Sequence, residues 1–168
     1  MKDTLRQQSD GTAPGRNRDH AHVIAFPPLI VLGAGLVGGA IHYFIPVRIV
    51  PEPLALPLAG LLGGVAAALA LWGARQLTRA GTAVNPYDTS TAVVRTGPYA
   101  FTRNPLYLSM GLVVVAVGLA FNSLPMVLAV VPFFLVIHFG VVLREERYLD
   151  AKFPEAYADY RRSVRRWL

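Results

Sequence analysis

The sequence predicts an all-α integral membrane protein with about four transmembrane helices and a cytoplasmic amphipathic helix after the last of them. Of its 168 residues, 54% are hydrophobic and only 15% are charged, whereas ordinary soluble domains carry roughly 25% charged residues. Charged residues are absent from three long stretches, 26–44, 54–74 and 104–143. Because a spanning helix needs about 20 apolar residues, these stretches have the length of membrane spans.

The individual spans follow from where these stretches begin, end and break. The first two are long enough for one span each, which predicts helices over about 26–44 and 54–77. The third is twice as long and contains Asn-Ser-Leu-Pro at 122–125, which indicates a turn between helices over 105–121 and 125–143. All four segments are apolar on every face, unlike the helices of soluble proteins. Period-two alternation is absent, so no strands are expected.

The basic residues indicate how the spans are oriented. Fifteen of the 16 Lys and Arg residues fall on one side of a four-span arrangement, and Arg48 is the exception. The positive-inside rule then predicts that both termini and the central loop are cytoplasmic. The net charge of +6 therefore indicates contact with membrane lipids. No groove-reading motif accompanies it, so nucleic acid is not an expected partner.

The first 22 residues are polar and lack apolar periodicity, which predicts a disordered cytoplasmic tail, 1–22, before a single domain, 23–168. His20 and His22 lie in this tail and are interpreted as ordinary tail residues. The chain has no cysteine, which excludes disulfides and thiolate metal sites. No metal site is predicted.

Two pairs of glycines at a spacing of four lie within the predicted spans. They are Gly35 with Gly39 and Gly60 with Gly64. Small residues at this spacing allow two helix backbones to approach closely. We interpret both pairs as contacts among the helices of one chain rather than as a dimer face, and the sequence leaves the oligomeric state unknown.

The cytoplasmic segment 81–107 combines turns with aromatic residues. It contains three X-Pro pairs at 85–86, 97–98 and 104–105, and a tyrosine follows each of them closely: Tyr87, Tyr99 and Tyr107. Such aromatic faces can stack on a purine, and the neighbouring polar groups can hold a charged cofactor. Interfacial anchoring of the tyrosines is the alternative interpretation.

The segment 144–168 predicts a helix with a break near Pro154. Its apolar face consists of Leu149, Phe153, Tyr157, Tyr160, Val164 and Trp167. Four arginines lie largely off that face and are interpreted as contacts with anionic headgroups: Arg161, Arg162, Arg165 and Arg166.

Glu145 and Glu146 stand between two arginines where the last span ends. They fit either a solvated salt-bridge pattern or a carboxylate that binds a cationic ligand, and both readings stay open. His138 lies about two helical turns before Glu145. An ionisable residue inside a span is a candidate site residue, and a structural histidine is the alternative.

Several pieces of these segments, in this order, resemble the isoprenylcysteine carboxyl methyltransferase family, which belongs with the membrane phospholipid methyltransferases. The resemblance covers roughly residues 80–168. Its pieces are Gly97-Pro98-Tyr99, Arg103-Asn104-Pro105-Leu106-Tyr107, the apolar hairpin 105–143, Glu145-Glu146, and the run from Phe153 to Tyr160. Asn104 stands where the family has a histidine.

The resemblance implies an integral membrane enzyme that transfers a methyl group from S-adenosylmethionine to a lipophilic acceptor. It implies a set of cofactor-binding residues, carried over by position: Thr91, Ala92, Val93, Val94, Tyr99, Asn104, Pro105, Leu106, Tyr107 and Glu145. The candidates for the chemistry are Glu146 as a cofactor ligand or proton acceptor, Arg103 as an anion ligand, and His138.

The acceptor stays open among lipid amines, thiols and carboxylates. Val141 stands where the isoprenylcysteine enzymes have an arginine, so the family name does not fix the substrate. Two other functions compete with methyl transfer. One is an NADPH-dependent membrane reductase, because sterol-reductase C-terminal regions are similar to this family. The other is a non-enzymatic four-helix scaffold or transporter.

Overall fold

The computed structural model describes residues 23–168, and within them every regular element is helical. The predicted tail 1–22, with His20 and His22, lies outside the described residues. The longer elements are α1 (Pro27–Phe44), α2 (Glu52–Arg79), α3 (Pro105–Ala120), α4 (Leu124–Lys152) and α5 (Pro154–Ser163). A short 3-10 turn, Gly97–Ala100, precedes α3. The predicted all-α fold class is confirmed.

The four predicted spans correspond to α1 to α4. Helices α1, α2 and α4 are each long and apolar enough to cross a membrane, and α3 is a shorter apolar helix. Helix α3 packs against α1, α2 and the first half of α4. The main difference from the prediction is that α4 continues to Lys152, well beyond the apolar stretch that ends at Leu143. This extension carries the paired glutamates rigidly on the end of a spanning helix.

The turn between α3 and α4 forms where Asn-Ser-Leu-Pro predicted it. Asn122 adopts a left-handed conformation with φ of 46°, which asparagine tolerates better than most residues. Its side-chain oxygen accepts hydrogen bonds from the backbone of Ile49 and Val50 at 3.0 and 3.1 Å. Ser123 caps α4 by accepting from the backbone N–H of Met126. The turn therefore also fixes the connection between α1 and α2.

The interpretation of the glycine pairs as intramolecular contacts is wrong. A Cβ atom added at any of Gly35, Gly39, Gly60 and Gly64 would meet nothing within 4 Å in the described structure. Close helix contact uses another glycine of α1 instead, because a Cβ at Gly38 would lie 2.8 Å from Cα of Met126 on α4. The spacing of four was present in the sequence, but it did not reveal which side of each helix faces the bundle.

The prediction of one amphipathic helix reaching Trp167 is also wrong. Helix α5 ends at Ser163, and Val164 is extended with φ of −128° and ψ of 134°. The following residues form a strap, defined here as residues 164–168, that runs back over the start of α3. The backbone of Arg103 donates to the carbonyl of Arg165 at 3.0 Å. Because that carbonyl and the next one are bound by the loop before α3, the chain leaves the helix.

Candidate active site

The candidate site lies at the end of the bundle where α2 ends, α3 begins and α4 extends beyond its apolar part. Two adjoining cavities of about 130 and about 100 Å³ open there. They share lining residues from α2, from the segment between α2 and α3, and from α4: Leu77, Ala83, Ser90, Tyr99, Arg103, Asn104, Glu145 and Leu149. The shared lining contains both a carboxylate and a guanidinium, so the cavities form one polar site.

The segment before α3 is held by its own side chains. Thr102 accepts a hydrogen bond from the backbone N–H of Asn104 at 3.2 Å. Pro105 starts α3, a position where its missing N–H costs nothing. Tyr107 then falls in the first turn of α3, and its hydroxyl donates to Glu145 Oε1 at 2.7 Å. This contact joins the beginning of α3 to the extension of α4.

Helix α4 contains a π-helical turn over His138–Val142, just before the glutamates. Such turns insert an extra residue into a helical turn and occur frequently at functional sites. After this turn, Glu145 accepts a hydrogen bond from Tyr107, whereas the adjacent Glu146 forms ion pairs with Arg103 and Arg166. Within the described residues 23–168, Glu145 forms no ion pair. The two neighbouring carboxylates therefore have different environments.

Glu146 lies between two arginines. Arg103 Nη1 is 2.9 Å from its Oε1, and Arg166 donates through Nε at 2.9 Å and through Nη2 at 2.8 Å. The side chains of Arg103 and Glu146 are only 9% and 11% exposed, and the hydrogen bonds to Glu146 raise the pKa of Arg166. The three groups carry a net charge of +1. The Nε of Arg103 is buried and has no hydrogen-bond partner among the described residues.

Three tyrosines form an aromatic layer beside this ion cluster. Tyr160 donates to the backbone carbonyl of Tyr99 at 2.8 Å, and the rings of Tyr157 and Tyr160 meet edge to face at 6.2 Å. Burial raises the pKa of Tyr157 to about 12, and it also raises the pKa of Tyr99 and of Tyr160. All three phenols are therefore neutral hydrogen-bonding groups near pH 7.

The structure brings most of the predicted site residues together. The predicted residues that line the cavities are Ala92, Val93, Val94, Tyr99, Arg103, Asn104, Pro105, Leu106, Tyr107, Glu145 and Glu146. Thr91 lines neither cavity; its hydroxyl donates to the carbonyl of Gly81 at 2.8 Å and holds the loop. His138 also lines neither cavity. Its ring lies against Phe139 and Trp167.

Arg166 does not lie on a basic membrane-facing surface as predicted, because its guanidinium is bound to Glu146. Tyr157 and Tyr160 were predicted on the apolar face of a surface helix and instead line the cavity. Of the two open readings of the glutamates, the local salt bridge does not describe Glu146, whose partners are distant in sequence. The feature of the sequence that could have indicated these contacts was the pair Tyr157 and Tyr160 followed closely by four arginines.

Other cavity-lining residues were not predicted. They are Leu77, Thr82, Ala83, Val84, Asn85, Pro86, Ser90, Tyr148 and Leu149. The turn at 85–86 was visible in the sequence, but the contact between Ser90 N–H and the Tyr148 hydroxyl at 3.2 Å joins segments far apart in the chain. Tyr87 lines neither cavity and lies beside Phe26, with ring centroids 6.3 Å apart.

A larger groove of about 680 Å³ lies between α1 and α4 and is lined by apolar residues along its length, from Ile30 and Val136 to Val47 and Leu124. None of the described residues that line it carries a charge. We therefore place the candidate active site in the two smaller cavities and not in the groove, although the groove has the greater volume.

Comparison with known proteins gives two matches. A family model described as phospholipid methyltransferase matches residues 54–156, which include nearly all of α2, the whole of α3 and α4, and both glutamates. The chain is also 41% identical over 63 residues to a protein of Haemophilus influenzae described as an uncharacterized protein. That match covers 38% of this chain and all of the relative. No solved structure matches the chain significantly.

Proposed function

The chain belongs to the phospholipid methyltransferase family, and from that premise we propose that it is an integral membrane enzyme that transfers a methyl group from S-adenosylmethionine to a lipophilic acceptor. The proposal includes the orientation expected from the basic residues, with both termini and the two cavities on the cytoplasmic side. The acceptor is a lipid amine, thiol or carboxylate.

One observation carries the proposal, namely the pattern of charge in the cavities. Glu145 is a carboxylate with a tyrosine partner and no cation among the described residues, and Arg103 belongs to a cluster of net charge +1 with an unpartnered Nε. Partly buried charges are stable when a counter-charge reaches them. A ligand with an ammonium and a carboxylate on one carbon, as in the methionine part of S-adenosylmethionine, supplies both.

The neighbouring aromatic residues fit the rest of the cofactor. Tyr99 lines both cavities, and an aromatic ring in that position can stack on a purine. Ala92, Val93 and Val94 provide apolar surface beside it. We assign the adenosine part to this side of the site and the amino acid part to Glu145 and Arg103.

S-adenosylmethionine supplies a methyl group on a positively charged sulfur, and the leaving thioether departs neutral. The residues of this chain therefore act mainly by orienting the two reactants and by excluding water. A strong general base is not required, which accommodates Asn104 in place of a histidine. The acceptor reaches the site from the lipid, since the cavities lie at the end of the spanning helices.

The test is ligand binding and methyl transfer by the full chain purified in detergent. We expect micromolar binding of S-adenosylmethionine by calorimetry, and transfer of a radiolabelled methyl group to a lipid extract. Binding of NADPH without binding of S-adenosylmethionine would support the reductase instead. Binding of neither ligand in several lipid compositions would support the scaffold or transporter.

A further inference from the structure

We infer that the strap, residues 164–168, is part of the ligand-binding apparatus, and that Arg166 is a positioning residue that acts through Glu146 and Arg103. This inference rests on the proposed function, because it concerns how the site recognises the carboxylate of S-adenosylmethionine. The sequence pattern predicted that Arg166 contacts lipid headgroups, and the family match, over residues 54–156, does not include this residue.

The strap is fixed to the loop that lines the site. The carbonyl of Arg166 accepts hydrogen bonds from Thr102 Oγ1 at 3.1 Å and from Asn104 Nδ2 at 2.9 Å. The carbonyl of Arg165 accepts from the backbone of Arg103 at 3.0 Å. Three successive residues of the loop, 102–104, are thus bound to two successive carbonyls of the strap.

The strap is also anchored in the helix bundle. The ring of Trp167 meets Phe134 edge to face at 5.3 Å and lies 6.2 Å from His138, and it packs against the main apolar core. Aromatic contacts of this kind hold a segment through large buried surfaces. The side chain of Arg166 is therefore held between a fixed loop and a fixed helix.

The charge balance at Arg103 depends on Arg166. Without Arg166, Glu146 would neutralise Arg103 alone, and the pair would carry no net charge. With the two-atom fork of Arg166 on Glu146, the carboxylate is shared, and the cluster keeps one positive charge in a site where Arg103 is 9% exposed. That charge, on a guanidinium with an unpartnered Nε, attracts an anion.

The shape of the Arg166 guanidinium also sets the orientation of Glu146. A planar guanidinium fork fixes the orientation of the carboxylate it binds, and lysine cannot reproduce it. Glu146 is thereby turned so that its Oε1 meets Arg103 Nη1 at 2.9 Å, which leaves the Nε edge of Arg103 unused. Arg166 thus determines both the charge and the direction of the carboxylate-binding group.

The test compares S-adenosylmethionine with its decarboxylated form, which keeps the adenosine, the sulfonium and the ammonium. In the unaltered full chain, competition binding is expected to show a preference of at least about tenfold for the ligand with the carboxylate. Arg166→Gln is expected to remove most of that preference, and Arg166→Lys to leave an intermediate value. Arg162→Gln, at an exposed arginine of α5 outside the strap, is the matched control and is expected to change the preference less than twofold.

A purely structural role would weaken both ligands equally, and a preference that survives Arg166→Gln would overturn the inference. If that variant does not fold, Thr102→Val loosens the strap without a change of charge, and a preference unchanged in that variant overturns it equally. Failure of the unaltered chain to bind S-adenosylmethionine at all would refute the proposed function. That outcome is distinct from binding without a carboxylate preference, which refutes only the role of Arg166.

Discussion

Replacement of Glu145 by glutamine removes the ionisable carboxyl group from the cavities and keeps the size of the side chain. A carbonyl oxygen remains to accept the hydrogen bond that the Tyr107 hydroxyl now makes at 2.7 Å. The packing between α3 and α4 is therefore expected to survive. What the variant loses is the charge that, under the proposed function, pairs with the ammonium of the cofactor.

The size of the effect follows from the kind of contact that is lost. A hydrogen bond that involves a charged partner contributes about 1.5–3 kcal/mol, and each 1.4 kcal/mol corresponds to about a tenfold change in Kd. We therefore expect Glu145→Gln to weaken binding of S-adenosylmethionine by roughly 10-fold to 150-fold. Folding stability should stay within about 1 kcal/mol, because Glu145 forms no ion pair among the described residues.

The assay is calorimetry with S-adenosylmethionine and a thermal unfolding curve on the same preparation. Glu155→Gln is the matched control, since Glu155 is an exposed glutamate on α5, and it should bind like the unaltered chain. Tyr107→Phe keeps the carboxylate and should weaken binding less than Glu145→Gln does. Unchanged affinity in Glu145→Gln would refute the assignment of the ammonium to this residue.

Four further substitutions test the packing and the electrostatics. Glu146→Gln leaves a buried Arg103 without its counter-charge and should reduce the free energy of unfolding by about 3–5 kcal/mol, measured by denaturant titration, whereas a loss below about 1 kcal/mol would contradict the ion cluster. Gly38→Ala brings a Cβ to 2.8 Å from the backbone of α4 and should destabilise by about 1–3 kcal/mol. Gly35→Ala, which meets open space, should be neutral or gain up to about 1 kcal/mol from helix propensity, and equal losses in both would contradict the helix arrangement. Because burial raises the pKa of Tyr157 to about 12, its contribution to stability is complete below about pH 10 and is lost as the pH rises from there through 12; Tyr157→Phe should flatten that alkaline decline in melting temperature.

The spans could be predicted because each depends only on local sequence. A charge-free stretch of about 20 residues satisfies its backbone hydrogen bonds within a helix, whatever its neighbours are. The turn at Asn122 was predictable for the same reason, since its residue types favour that conformation locally. The packing of Gly38 against Met126 was not predictable in this way, because it depends on which side of α1 faces α4.

The candidate site, like the fold, could be predicted from the sequence only where the signal was local. Tyr107 and Glu145 were identified through a resemblance in ordered motifs, and the structure brings them together on the lining of one cavity. The ion pair between Glu146 and Arg166 was not predicted, because Arg166 lies 20 residues further along the chain. Its position in the predicted helical repeat was that of a residue on the exposed face. Helical periodicity continued through Val164 in the sequence, whereas hydrogen bonds from the loop to the strap ended the helix. Long-range polar contacts of this kind leave no periodic pattern.

The cavity lining also restricts the acceptor under the proposed function. Among the described lining residues, Glu146 is bound by two arginines, the pKa of Tyr157 is near 12, and Asn104 cannot act as a base near pH 7. Glu145 is the lining carboxylate that remains, and it is also assigned to the cofactor ammonium. A nucleophile that needs prior deprotonation by a strong base, such as an alcohol, is therefore disfavoured. A carboxylate or thiolate that is already anionic, or an amine that attacks through its lone pair, suits this set of residues.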